Sequence, residues 1–333
     1  MSRMVRVAKK RAINVLKGEK VVPPVQRWMM RLFVILNVCL FSAYANATFF
    51  AVSVSSQDNF RNSITDSIEE AVDARHDYVY VDDVDNDFDE QVKQIQHYID
   101  SGADAVVVFA TGTHEQNKQL LEFAKDVPLV FVNTEPVADL STMPANTVYV
   151  GSNEVDSGTM QMEALAQLAG YQGKVALLKG EMNHPAAITR TKDVYDVVAK
   201  YPNLSVVAAE TGNWQRNQGY NIVEKWIKDN LDFNILVSNN DEMLMGGLMA
   251  LRDNGKDVKS YYTGGIDGIY DALLEMDKGN LDITVLQDGK GQGKAVVDMT
   301  YRLLNHQSVK NPHWVPFKLI TKENYKLLLD GEQ

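Results

Sequence analysis

Phe49-Phe50-Ala51-Val52-Ser53-Val54, a run rich in apolar and β-branched residues, is followed by Ser55-Ser56-Gln57-Asp58 and then by Phe60, Ile64, Ile68 and Val72 at four-residue spacing. The run reads as a strand covered on both faces. The spacing reads as a helix with one apolar stripe, and Asp58 stands where an N-cap is needed. A strand that turns directly into such a helix is half of a β-α-β crossover, and the chain repeats the pattern. Further strands are expected at 78–81, 105–109, 129–132 and 148–150, then in a second series at 175–178, 205–208, 235–237, 261–264 and 283–286. Helical periodicity lies between them, as in Val92, Ile95 and Ile99. Continuous apolar strands alternating with helices belong to parallel sheets covered on both sides.

Ten strands suit two sheets of five better than one large sheet at this length. The fold class expected is therefore α/β, with two doubly wound, Rossmann-like lobes joined by short crossing segments near Ser152 and Gln287. The expected division is 48–152 with 288–314 for the first lobe, and 153–287 with 315–333 for the second. Ligands in such sheets bind beyond the carboxyl ends of the strands, so two lobes facing each other there would enclose a cleft.

Upstream, Arg31 and the apolar stretch Leu32-Phe33-Val34-Ile35-Leu36-Asn37-Val38-Cys39-Leu40-Phe41 precede Ala45-Asn46-Ala47, a small-x-small cleavage site. Residues 29–47 thus read as a secretory signal, too short to span a bilayer, with the mature chain starting near Thr48 outside the cytoplasm. Residues 1–27 are basic and broken by Pro23-Pro24; they read as an over-extended start, with a long signal n-region as the alternative. A lipid anchor at Cys39 is disfavoured by Asn37-Val38 before it, where small residues are wanted. Nine of the 33 Lys and Arg but one of the 44 Asp and Glu precede Thr48, leaving 24 basic against 43 acidic residues, a net charge of −19. That charge disfavours nucleic acid and anionic lipid as partners. Cys39 is the one cysteine, so no disulfide or thiol chemistry is expected after cleavage.

Polar and aromatic residues cluster just after the expected strands: Asp58, Asn59 and Phe60, Asn133, His184 and Arg190, Trp214, Asn240, Asp267 and Gln287. Planar carboxylates, amides and a guanidinium can bridge the adjacent hydroxyls of a polyol, while aromatic rings cover its C–H faces. Each residue alone could equally be a helix cap or turn residue; the set favours a binding site. Enzyme signatures fail: there is no G-x-S-x-G elbow and no His pair with zinc spacing. Gly289-Lys290-Gly291-Gln292-Gly293 imitates a dinucleotide fingerprint, but its third glycine comes one residue early, and a flexible turn is the better account. Asp83, Asp85 and Asp87 suggest a calcium loop, yet Phe88 replaces the required Gly and Gln94 the closing Glu. No cofactor and no metal are expected.

The same residues make the chain resemble the type I periplasmic sugar-binding proteins of the ribose and galactose group, over essentially all of 49–329. The most specific stretches are Leu178-Lys179-Gly180-Glu181-Met182-Asn183-His184-Pro185, Asn239-Asn240-Asp241-Glu242-Met243, Gly265-Ile266-Asp267 and Thr284-Val285-Leu286-Gln287-Asp288. Ala186-Ala187-Ile188-Thr189-Arg190-Thr191-Lys192 is similar to inositol- and rhizopine-binding members; His184-Pro185 leans toward galactose/glucose binders. The resemblance implies that Asp58, Asn59 and Phe60 contact ligand from the first lobe, His184, Arg190, Trp214, Asn240 and Asp267 from the second, and Gln287 from the hinge. Ala186 stands where galactose/glucose binders carry Asp, and Phe109 where many members carry Asn. Both departures point toward a cyclitol or a less hydroxylated ring. The implied protein is a monomeric sugar or polyol receptor, not an enzyme, that serves an ABC permease in the inner membrane. Its alternative receiver is a chemoreceptor or sensor kinase.

Overall fold

The computed structural model describes residues 47–329 and Gly331, so the signal reading lies outside the described residues as far as Asn46. No helix among the described residues is long and apolar enough to cross a membrane. The strands of the first sheet are β1 (Phe49–Val54), β2 (Tyr78–Asp83), β3 (Ala105–Val108), β4 (Leu129–Val132), β5 (Thr147–Gly151) and β11 (His313–Trp314). The second sheet holds β6 (Gln172–Lys179), β7 (Asn203–Thr211), β8 (Ile235–Ser238), β9 (Tyr262–Asp267), β10 (Ile283–Leu286) and β12 (Lys318–Ile320).

The strand orders are β11-β5-β4-β3-β1-β2 and β12-β10-β9-β8-β6-β7. Leaving aside β11 and β12, the two halves share one winding pattern, and every pairing is parallel except β12 with β10. Central strands β3, β4, β8 and β10 are buried at every residue, as strands covered on both faces must be. The edge strands β2 and β7 are partly exposed. All ten expected strands are present, and most run longer than the apolar run that announced them. β9, for example, continues through Ile266 to Asp267, because the backbone ladder to β10 holds polar and apolar residues alike. β11 and β12 were not anticipated; two or three residues carry no readable period.

Helix α1 (Asn59–Asp73) buries Ile64, Ile68 and Val72 against the first sheet, and Asp58 Oδ1 accepts from the Arg61 amide at 2.7 Å. Helices α2 (Phe88–Asp100) and α3 (His114–Leu121) complete that half, and Asp87 caps α2. In the second half come α4 (Ser157–Leu168), α5 (Pro185–Lys200), α6 (Arg216–Lys228), α7 (Asp241–Asp253) and α8 (Tyr270–Asp277). Helix α9 (Gly289–Leu304) follows β10 but returns to the first sheet, where Val296, Val297 and Leu303 join the core of Phe50, Ile64 and Val130. The stretch expected as a flexible strand-to-helix turn, 289–293, does open a helix, but it is itself the first turn of α9, capped by Asp288. A short α10 (Tyr325–Leu329) closes the described chain. Each sheet carries an apolar cluster on both faces, and the chain passes between sheets after β5, β10 and β11.

Candidate ligand-binding cleft

The loops at the carboxyl ends of both sheets meet around a cavity of about 60 Å³. Asp58, Phe60 and Arg61 line it from the start of α1, Asn133 from the end of β4, and Glu154 from the first crossing. His184, Ala186 and Arg190 come from the start of α5, Trp214 from the turn before α6, and Asn240 and Glu242 from the start of α7. Asp267 and Gln287 complete the wall. Nine of the ten residues picked from sequence are therefore brought together. The tenth, Asn59, lines an adjoining cavity of about 540 Å³ and donates its side-chain amide to Glu242.

Arg190 is the most constrained side chain of the cleft, only 3 % exposed. Its Nε and Nη2 donate to the two oxygens of Glu154 at 2.8 and 2.9 Å, a planar fork on a planar carboxylate. Nη1 donates to the Asn239 carbonyl at 2.8 Å and Nη2 to Gln287 Oε1 at 3.2 Å. A buried cation needs such partners, because an unpaired one would cost several kcal/mol of desolvation. Asp267, 7 % exposed, faces Arg190 Nη1 at 3.7 Å, too far for a hydrogen bond. Burial pushes its carboxyl well above the usual carboxylate range; Arg190 opposes the rise, while Asp241, Asp58 and Glu154 add to it.

The turn that presents Asp267 is held from behind. Asp267 and Gly268 both have positive φ, at 126° and 71°. Asp241, wholly buried, accepts from the amides of Gly268 and Ile269 at 2.8 and 3.1 Å and from the Thr284 hydroxyl at 2.9 Å. Of Asn239-Asn240-Asp241, then, only Asn240 reaches the cavity. Asn239 lies behind it, accepting from the Gly180 amide and the Thr191 hydroxyl.

Trp214 sits in the left-handed region, φ 67°, following Asn213 at 49°. Asn240 fixes this turn: its Oδ1 caps α7 by accepting from the Met243 amide, and its Nδ2 donates to the Trp214 carbonyl at 3.2 Å. The indole lies against the backbone at Gly180, where a Cβ would come within 2.2 Å of Cη2. His184 meets the indole edge-on, with centroids 5.6 Å apart. Its Nδ1 accepts from the Ala186 amide at 3.2 Å, which places the ring proton on Nε2. Burial, with Arg61 and Arg190 nearby, lowers the His184 pKa to about 3, so the ring is neutral at ordinary pH. Phe60 faces the cavity from the opposite lobe, whereas Phe109 is fully buried in the first-lobe core.

Sequence reasoning missed Arg61, Glu154 and Glu242. Arg61 could have been read from its position three residues after Asp58, whose Oδ2 its Nη1 reaches at 2.6 Å. Glu154 gave no local signal, since it meets Arg190 across 36 residues of chain. The chemistry available in the cleft is recognition: fixed carboxylates, amides, two guanidinium groups, one neutral imidazole N–H and two aromatic rings. Among the described residues, no group of His, Cys, Asp or Glu converges as a metal site would.

Comparison with known proteins agrees with this fold. The family model described as periplasmic binding protein domain matches residues 50–308. A putative rhizopine-binding protein of Rhizobium meliloti is 39 % identical over 248 residues, covering 73 % of this chain and 80 % of that protein. A xylitol-binding protein of Mycolicibacterium smegmatis is 30 % identical over 251 residues, covering 74 % and 69 %. Among solved structures, an ABC transporter solute-binding protein from Bacillus halodurans with bound myo-inositol superposes with a TM-score of 0.79 at 29 % identity, covering 86 % of this chain and 98 % of that one. With twin wound sheets and a polar cleft between them, the chain belongs to the type I periplasmic binding proteins, the sugar-binding components of ABC transporters, and is a binding protein rather than an enzyme.

Proposed function

We propose that the protein captures one small cyclitol or sugar, inositol-like or galactose-like, between its lobes and delivers it to an ABC permease. The reading supposes export by a signal peptide cleaved near Ala47 and a monomer whose lobes, 48–152 with 288–314 and 153–287 with 315–333, close on the ligand. The observation that carries it is the convergence of Asp58, Asn133, His184, Arg190, Trp214, Asn240, Asp267 and Gln287 with Phe60 on one cavity. A ring stacked between Trp214 and Phe60 has hydroxyls around its rim. Asp58 and Asp267 accept from them, while His184 Nε2–H and the second Nδ2 proton of Asn240 donate to them. Every buried hydroxyl must find such a partner or cost about 1–3 kcal/mol, so this lining selects among stereoisomers. Ligand that touches both lobes favours the closed form, which is the form a permease would receive. The myo-inositol-bound structure and the rhizopine- and xylitol-binding relatives support a cyclitol or polyol as one such ligand.

A thermal-shift panel of the chain from Thr48 onward, against myo-inositol, xylitol, galactose, glucose and ribose, tests the reading. A ligand at a hundred times its Kd adds about 2.7 kcal/mol, a shift of several degrees. Silence across the panel and related cyclitols would refute it.

A further inference from the structure

Asn59 belongs to the first lobe, at the opening residue of α1, and Glu242 to the second, at the second residue of α7. The hydrogen bond from Asn59 Nδ2 to Glu242 Oε1 joins the lobes directly, outside the hinge and without any ligand atom. Glu242 is not free to wander. Arg216 donates from Nε to its Oε2 at 2.7 Å and from Nη2 to its Oε1 at 3.2 Å, and the same Nη2 reaches Asp271 Oδ2 at 2.7 Å. Arg216 of α6, itself tied to Asp271 of α8, thus holds the carboxylate, so that only Asn59 has to arrive when the lobes meet. A preformed acceptor loses little side-chain entropy on pairing.

We propose that Asn59 closes on Glu242 as a latch, and that Asn59, which lies outside the ligand cavity, thereby sets the protein's overall affinity without reading the ligand. This rests on the ligand-capture reading above and reassigns Asn59, which the family resemblance gives as a ligand contact. A bond made only in the closed form raises the closed population of the unliganded protein. While the open form still predominates, apparent affinity for every ligand rises by that same factor. A hydrogen bond to a charged group is worth about 1.5 kcal/mol or more, which converts to about tenfold in Kd. Contacts inside the cavity behave differently, because each changes the ranking of ligands.

The test is a double-mutant cycle read by calorimetric Kd for whichever panel ligands bind, myo-inositol and xylitol first. Asn59→Ala is expected to weaken all of them by one common factor of about ten, leaving their ratios unchanged, and to add nothing further in a Glu242→Ala background. A change in the ratio between ligands would show Asn59 touching the ligand and overturn the latch. So would an unchanged Kd, or an equal loss with Glu242 already removed. If no ligand binds the wild-type chain, the capture reading fails by itself. The latch is then read from fluorescence transfer between labels placed one on each lobe: Asn59→Ala lowers the closed fraction if the latch exists, and an unaltered fraction overturns it.

Discussion

Asp267 carries a desolvation cost that, under the proposed capture of a polyol, a ligand hydroxyl would relieve. Its buried carboxyl titrates well above the unfolded value. A raised folded pKa means the associated stability is present at low pH and is lost as pH rises through the folded pKa. Removing the charge should therefore stabilise the unliganded protein at neutral pH while removing an acceptor from the site. Asp267→Asn is expected to gain about 0.5–2 kcal/mol in denaturant unfolding at neutral pH, with the gain shrinking toward acid, and to lose ligand-induced stabilisation. A loss of unliganded stability would contradict this account. His184 runs the other way. Its pKa falls from 6.5 to about 3, so its contribution is full above 6.5 and declines as pH drops toward 3. The His184 ring should stay neutral between about pH 5 and about pH 8, where an ordinary histidine would titrate; a midpoint near 6.5 in the NMR titration of its ring protons would show the ring charged and the tautomer assignment wrong. Most of these residues were legible because each follows an apolar run that ends abruptly in polar side chains. What was not legible is which neighbour turns inward: Asn240 and Asp241 look alike in sequence, yet one lines the cavity and the other anchors a turn behind it.

Elements were legible wherever hydrophobic period was. The strand β1 and helix α1 were read from Phe50, Val52, Ile64 and Ile68, whose burial imposes the pattern. β11 and β12 escaped because a strand of two or three residues is defined by its partner and not by its own side chains. Helix contacts are also set between elements. Helices α6 and α7 pack closely enough that a Cβ on Gly246 would lie 1.9 Å from the Arg216 carbonyl. Gly246→Ala should therefore cost about 1–3 kcal/mol in chemical unfolding and displace the segment that carries Arg216. An Ala at Met249, exposed on the same helix, should change stability by less than about 0.5 kcal/mol. Equal effects at the two sites would mean that the helices can part without penalty.

At the scale of the molecule, the shared strand order makes the two halves structural twins, and the cleft is where their carboxyl edges oppose each other. The alternation of strands with helices made the twin plan readable. The return of α9 and β11 to the first sheet follows from packing across long stretches of chain, 223 residues from Ser67 to Lys290 and 162 from Tyr149 to Asn311, separations at which local pattern carries little information. A chain stopped after Lys310 would lack β11, β12 and α10 together. It should lose most of the roughly 5–15 kcal/mol that holds a folded domain, with hydrogen-exchange protection falling in β5 and β10 alike, since each pairs with a missing strand. Protection surviving in β5 would mean that the first sheet is complete without its late strand.

Because β11 and β12 follow every other strand in the sequence, neither sheet has its full set of strands until both have been made. For a member of an exported family, that order of assembly has a use. A ribosome's nascent product would stay threadable during its passage, and compaction would follow only once the tail had emerged on the far side.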